Sequence, residues 1–329
     1  MLKNLFLLLC IIFSCFGCEK KELISLKDER FLFGTYIRII AFNENEKILK
    51  NAINEAFEEI KRIDDTYNSK NIKSLIYNLN ISRNKELQLD EEGENIFSKI
   101  REVYYLSDKK YDITISPLMS LWGFERGERE NVPTFEEIQE SLRKIDYSQV
   151  EIENRILKIN NSNIKIDTGS FLKGYAISKA KQKLKENGIK SAFITSISSI
   201  ETIGKKPEGN PWKIGLQNPE NPEEILGIIE LQGESMGVSG DYQTYLEING
   251  KKYHHILDKE TGYPVLDKKM VAVISEDSFL ADMYSTAFYL MPLQIVMDYV
   301  NKTENLEVLI IDKNNIIKKS NNFNITLIK

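Results

Sequence analysis

Four short stretches carry residues whose types and spacing can do chemistry. In DTGSFLKG, residues 167–174, an acid leads through two glycines, a serine and a lysine into a helix-like run. The junction of an extended segment with a helix leaves backbone N–H groups unpaired, and the helix dipole favours an anion there. The same pattern also suits an ordinary turn that opens a helix. It is neither a GxxxxGK[ST] phosphate loop nor a GxGxxG turn. In SFLADMYSTAFYL, residues 278–290, Asp282 and Thr286 are four apart and share one helical face. The rest of that run is apolar or small, so the carboxylate and hydroxyl need partners. One arrangement is a hard cation taken by the carboxylate, the hydroxyl and a backbone carbonyl. The other is a partly exposed Asp282, with Thr286 bonded to its own i−4 carbonyl. HHILDKETGYP, residues 254–264, sets His255 and Asp258 before a Thr261-Gly262 turn. SPLMSLWGF, residues 116–124, places Trp122 in what reads as core.

The elements around these stretches follow from periodicity. RFLFGTYIRIIAF reads as one strand with Gly34 as a bulge. Ile48, Ala52, Ile53, Ala56, Phe57, Ile60 and Ile63 mark one face of a helix over 46–66. A second helix is expected at 90–107. YDITISPLMSLWGF reads as a strand running into a buried apolar turn, and Pro133-Thr134 opens a short helix. Strands are expected at 149–153, 156–160, 163–167 and 190–195. A helix at 173–187 stops at Asn187-Gly188. YLEINGKKYHHI is a hairpin, with Asn249-Gly250 suited to a type I′ turn. MVAVISE is a buried strand, 278–290 a helix, and the end reads helix (292–301), strand (306–311), turn, strand (322–328). Helices and strands mix without regular βαβ alternation, which predicts a single α+β domain over 30–329.

Composition removes several classes of function. The chain has 329 residues, 42% hydrophobic and 28% charged, enough for a substantial core. Its net charge of −5 offers no basic footprint for nucleic acid. An apolar run, LFLLLCIIF, ends in SCFGC and is followed by charged residues. It is too short to span a membrane as a mature helix. The pattern resembles a lipoprotein signal over 1–17, with Cys18 acylated and 18–29 as a tether; Cys15 is the alternative. This predicts a lipid-anchored protein on the outer side of the cell membrane. All three cysteines, Cys10, Cys15 and Cys18, lie in this segment. Loss of the signal and lipidation of Cys18 would leave no thiol for a disulfide, a zinc site or a nucleophile. The two histidines, His254 and His255, cannot make a multi-His metal site, so any metal relies on oxygen ligands such as suit magnesium.

Taken in order, the stretches resemble the ApbE-like family, the FAD:protein FMN transferases. The resemblance rests on FGTY, DTYNSKNIKSLIYNLN, KKYDITISPLMSLWGF, DTGSFLKGYA, PWKIGLQNP, SGDYQTYLEINGKKYHHILDKETGYP and LADMYST. It implies that Asp282, Thr286 and the carbonyl of Ser170 hold Mg²⁺. It implies that Tyr67, Lys110, Tyr111, Asp112, Asp167, Lys173 and Leu257 line the site for FAD, the substrate, and that His255 lies near the reacting centre. Either His255 or Asp282 would help deprotonate the attacking hydroxyl. It further implies an acceptor protein, such as a redox subunit of an Rnf-type or sodium-pumping quinone reductase complex, that receives FMN on a Thr or Ser. An FAD hydrolase yielding FMN and AMP, or a non-catalytic FAD-binding lipoprotein, are the alternatives. Two departures stand out. Ile197-Ser198 replaces a glycine pair, which predicts a narrower FAD site, and Lys259 replaces a proline in the HIIDPxTG pattern.

Overall fold

The computed structural model describes residues 22–124 and 129–328. The expected signal, Cys18 and its alternative Cys15 lie outside them. The chain opens with β1 (Ile24–Leu32) and β2 (Thr35–Asn43), then α1 (Glu46–Tyr67) and α2 (Leu75–Ile81). β3 (Glu86–Gln88), α3 (Glu91–Leu106), α4 (Ser116–Trp122) and α5 (Phe135–Leu142) follow. Next come β4 (Val150–Glu153), β5 (Ile156–Ile159), α6 (Leu172–Glu186), β6 (Ser191–Ser196) and β7 (Ser199–Ile203). Five strands succeed them: β8 (Trp212–Gln217), β9 (Ile225–Leu231), β10 (Ser235–Gly240), β11 (Tyr245–Ile248) and β12 (Lys251–His254). The chain closes with β13 (Lys268–Ser275), α7 (Ser278–Leu290), α8 (Leu293–Val300), β14 (Glu307–Asp312), β15 (Ile317–Lys319) and β16 (Thr326–Leu327).

An eight-stranded sheet, in the order β1-β2-β6-β7-β10-β13-β14-β15, organises the molecule. Every neighbouring pair in it is antiparallel, so its side chains alternate between two faces. On one face Ile37, Ile39, Ala192 and Ile194 pack with Leu49, Ile53 and Phe57 of α1 and Ala176 and Ala180 of α6. The same side of β13 and β14 offers Val271, Val273, Val308 and Ile310 to Phe288 of α7 and Val296 of α8. On the other face Met236, Met270, Ala272 and Leu309 meet Trp212, Ile214 and Ile229 of a small sheet, β16-β9-β8. Helices on one face and a second sheet on the other make the α+β domain that the sequence predicts.

Several local expectations change. The strand with a bulge at Gly34 is two strands, because Phe33 (φ 55°) and Gly34 (φ 72°) form a two-residue left-handed turn. β1 starts at Ile24, so residues 24–29 pair with β2 and are not tether. SPLMSLW is helix α4, not a strand and turn; Pro117 sits in its first turn, where a missing N–H costs nothing. Residues 163–167 form no strand. The hairpin at Asn249-Gly250 stands as expected, with φ of 52° and 73°.

Ile197 is a strained point. It turns β6 into β7 with φ 39°, a conformation that is an outlier for a β-branched residue. Its side chain is 73% exposed, so burial does not offset the strain. Ile197→Asn should therefore stabilise the fold by about 1 kcal/mol, the scale of a left-handed residue's penalty. Urea unfolding would show a higher midpoint with an unchanged slope.

Candidate functional site

The DTGSFLKG segment is tied down before its helix begins. Asn80 clamps Ile166 by a pair of hydrogen bonds, its Oδ1 accepting from Ile166 N–H and its Nδ2 donating to Ile166 O, both at 2.8 Å. Thr168 Oγ1 accepts from Ser69 N–H at 3.0 Å, and Asp167 Oδ1 accepts from Gly169 N–H at 2.7 Å. Helix α6 then starts without a side-chain cap of its own. Its cap comes from α7: Asp282 Oδ2 accepts from Gly174 N–H at 2.8 Å and from Ser199 Oγ at 2.7 Å. A carboxylate at a helix N-terminus is favoured by both the free N–H groups and the dipole.

A carbonyl lies beside that cap. Ser170 precedes the start of α6, so its carbonyl stands outside the helical ladder, whose first bond runs from Tyr175 N–H to Phe171 O at 3.0 Å, and it takes no backbone hydrogen bond among the described residues. Thr286 Oγ1 is similarly under-used. It sits 3.4 Å from the Asp282 carbonyl, too long for a good O–H···O bond, and 3.2 Å from Ser239 Oγ. Ser285 Oγ takes the Asp282 carbonyl properly at 2.9 Å. A carbonyl, a hydroxyl and a carboxylate oxygen thus remain for another partner, and a hard cation fits that oxygen set. Among the described residues no cluster of three or more His, Cys, Asp or Glu offers a competing metal site.

Asp282 is buried, and burial raises its pKa to about 6 against the pull of Lys173, Ser199 and the Gly174 N–H. Space for this contact exists only because residue 174 is glycine. A Cβ there would lie 2.3 Å from Ser278 O and 2.7 Å from Asp282 Oδ2. Gly174→Ala should push α6 from α7, destabilise the fold by about 1–3 kcal/mol and dismantle the donor set. Thermal unfolding together with a Mg²⁺ titration would show both effects.

A cleft of about 260 Å³ opens over these groups. It gathers Lys110, Tyr111, Asp112, Asp167, Ser170, Lys173, His255, Leu257, Asp282 and Thr286, the site residues of the sequence analysis with one exception. Tyr67 is that exception. It is buried in the core at the end of α1, and its hydroxyl points to Asp90 at 3.1 Å. Lys70, Ser239, Gln243 and Thr244 line the cleft without having been singled out in the sequence. Lys70 lies inside the DTYNSKNIKSLIYNLN stretch, the one signal that marks it. Ile115, Met119 and Phe124 make one wall apolar. A larger concavity, about 940 Å³, runs along α6 between Lys179, Lys185, Glu230 and Glu276, and holds none of the motif residues named above for the site.

Three of the gathered side chains are already committed to protein partners. Asp112 Oδ1 accepts from the N–H and hydroxyl of Thr114, at 2.9 and 2.5 Å. Its Oδ2 accepts from Lys259 Nζ at 2.7 Å and Tyr147 N–H at 3.3 Å. Lys259, standing where the family pattern has proline, thereby locks the 258–262 turn to the cleft wall. Tyr111 OH and Ser170 Oγ bond each other at 2.9 Å. His255 differs. Its Nδ1 lies 3.1 Å from Thr244 O, and a carbonyl only accepts, so Nδ1 carries the proton and Nε2 keeps its lone pair. Burial lowers its pKa to about 4, which keeps the ring neutral at physiological pH. Phe124 stands edge-on to it at 6.4 Å, backed by Trp122, whose indole N–H is anchored on Gly262 O at 2.8 Å.

The two residues that replace the glycine pair part company. Only Ser198 lines the cleft, and Ile197 projects to solvent.

The ApbE family model matches residues 33–310, through the strands, the DTGSFLKG loop and α7. The chain belongs to the ApbE family. An ApbE protein of Thermotoga maritima has the same fold, with a TM-score of 0.81 and 31% identity, over 91% of this chain and 97% of that one. The FAD:protein FMN transferase of Haemophilus influenzae is 26% identical over 75% of this chain and 74% of its own length. That of Buchnera aphidicola is 26% identical over 95% and 93%. The ApbE match spans both helices that meet at Gly174 and Asp282.

Proposed function

We propose that this chain is a Mg²⁺-dependent FAD:protein FMN transferase. The observation that carries the reading is the donor set at the α6–α7 junction: a buried carboxylate, a hydroxyl and a carbonyl that stands just before the helical ladder, all beside a lysine-flanked cleft. Asp282, Thr286 and Ser170 O would hold the cation. Bound there, magnesium supplies charge neutralisation and polarisation at a pyrophosphate. Lys70, Lys110 and Lys173 attract the phosphates, and the Ile115–Met119–Phe124 wall receives a flat apolar ring. The acceptor's Thr or Ser oxygen attacks the FMN-side phosphorus. The bond from that phosphorus to the bridging oxygen breaks, and AMP leaves. His255 Nε2, the neutral base, takes the hydroxyl proton, because Asp282 accepts from Gly174 N–H and Ser199 Oγ and would also hold the cation.

Acceptors of the reading are redox subunits of Rnf-type or sodium-pumping quinone reductase complexes. The SCFGC segment supports a lipid anchor at Cys18, holding the enzyme on the outer side of the membrane. No helix of the described residues is long and apolar enough to cross it.

Incubation of the purified full chain with FAD and Mg²⁺, with and without an acceptor subunit, tests the reading by chromatography of AMP and FMN. Acceptor-dependent AMP is the expected result. AMP with equal free FMN and no acceptor requirement would make the chain a hydrolase, and FAD left intact would remove catalysis.

Cation binding should depend on pH in a defined direction. The folded pKa of Asp282, about 6, lies above the unfolded value near 3.9. Its protonated form therefore stabilises the metal-free fold at low pH, and that contribution is lost as pH rises from about 4 through 6. Mg²⁺ needs the ionised form, so its stabilisation runs the other way. Thermal shifts with Mg²⁺ should be largest at pH 7–8, and apparent affinity should fall roughly tenfold by pH 5.

A further inference from the structure

A buried acid outside the cleft has no part in the chemistry so far described. Glu201 lies on β7 with no exposed surface. Its Oε2 accepts from Lys181 Nζ at 2.7 Å and Ser235 Oγ at 2.5 Å. Its Oε1 accepts from Ser278 N–H at 2.8 Å and lies 2.9 Å from Ser278 Oγ. Lys181, also buried, completes its donors with Gly233 O at 2.8 Å and Glu276 O at 3.2 Å. Every strong donor and acceptor of the pair is used, which is what permits two charges in the core.

The network's far end is the candidate cation site. Ser278 is the first residue of α7, and its hydroxyl proton is shared between Glu201 and Gly174 O, the latter at 2.7 Å. Gly174 N–H in turn reaches Asp282 Oδ2, one helical turn along α7 from Ser278. Glu201, Ser278, Gly174 and Asp282 therefore close a ring across β7, α6 and α7. The ring fixes how far the first turn of α6, with Ser170 O before it, stands from the carboxylate of Asp282. A displacement there would separate the oxygen donors without unfolding either helix.

We propose that Glu201 is a positioning residue for the cation site, acting through Ser278 and held in place by Lys181. The inference rests on the reading of Asp282, Thr286 and Ser170 O as cation donors. Its test is Mn²⁺ and Mg²⁺ binding by isothermal calorimetry, with no substrate present. Glu201→Gln alone would strand the Lys181 charge in the core, so the variant that decides is Glu201→Gln combined with Lys181→Met. Ser278→Ala removes the hydroxyl bridge and leaves the ion pair intact. Each should weaken cation affinity roughly 10- to 100-fold, the usual loss when a group that orients a metal ligand is removed. Metal-free thermal unfolding, run beside it, reports how far the network serves the fold as well.

Three outcomes are distinguishable. Weakened cation binding in folded variants supports the positioning role. A lowered melting temperature with unchanged affinity makes Glu201 structural only and overturns it. Absence of cation binding in the unsubstituted chain overturns the donor set itself, and with it both this proposal and the metal-dependent reading on which it rests.

Discussion

Asp282→Asn should cut AMP release from FAD by about 10²–10³-fold while leaving the metal-free protein as stable as before or more so. The first effect follows from loss of the ionised oxygen that a cation needs, at a site where charge stabilisation carries much of the rate. The second follows from burial. The carboxylate of Asp282 carries a desolvation cost that raises its pKa to about 6, and a neutral amide of the same shape does not. Its side-chain oxygen can still accept from Gly174 N–H, so α6 keeps its cap. The paired signature is a melting temperature that rises or holds without Mg²⁺, together with loss of the Mg²⁺-induced increase. Retained Mg²⁺ response in an active variant would contradict the donor assignment. A site that is less stable than it could be in exchange for function is a familiar pattern.

His255→Gln should slow transfer by about 10²–10⁴-fold, the range for a removed general base, with FAD affinity little changed. The geometry assigns the base to Nε2 because Nδ1 is spent on Thr244 O. The pH profile separates the two residues. With its pKa lowered to about 4, His255 is already neutral at pH 5 and above. An acid limb of activity near pH 6 is therefore expected from Asp282. It should move to lower pH as Mg²⁺ is raised, since the cation competes with the proton. In His255→Gln the same limb should persist on a much lower plateau. A limb that vanishes with His255 would mean that the imidazole, not the carboxylate, sets it.

The site was more legible in the sequence than the sheet that supports it. Asp282 and Thr286 are four apart on an apolar helix, and DTGSFLKG precedes another, so their chemistry is local and survives without knowledge of the fold. Their meeting is not local. Gly174 N–H reaches Asp282 over 108 positions, and nothing in either motif announces the Ser199 hydroxyl that shares the same oxygen. Tyr67 shows the opposite failure. Its motif position suggested the cleft, but α1 runs long enough to bury its ring in the core. Strands β7 and β10 gave little pattern. SIETI and SMGVSG are buried along their whole length, so neither alternates. Gly237 is small for a reason only packing shows: a Cβ there would lie 2.5 Å from the Ala281 backbone on α7. A lone Glu in SIETI was the visible trace of the buried network, yet its partner Lys181 is one of five lysines on α6, and nothing in the sequence sets it apart from the others.

Intact-mass spectrometry of an acceptor subunit, after incubation with the full chain, FAD and Mg²⁺, tests the central claim most directly. The account predicts that the acceptor gains one FMN less one water, on a Thr or Ser hydroxyl, with AMP formed in equal amount. It also predicts that the adduct disappears when Mg²⁺ is chelated. An unmodified acceptor beside intact FAD, with Mg²⁺ bound to the chain, would contradict it.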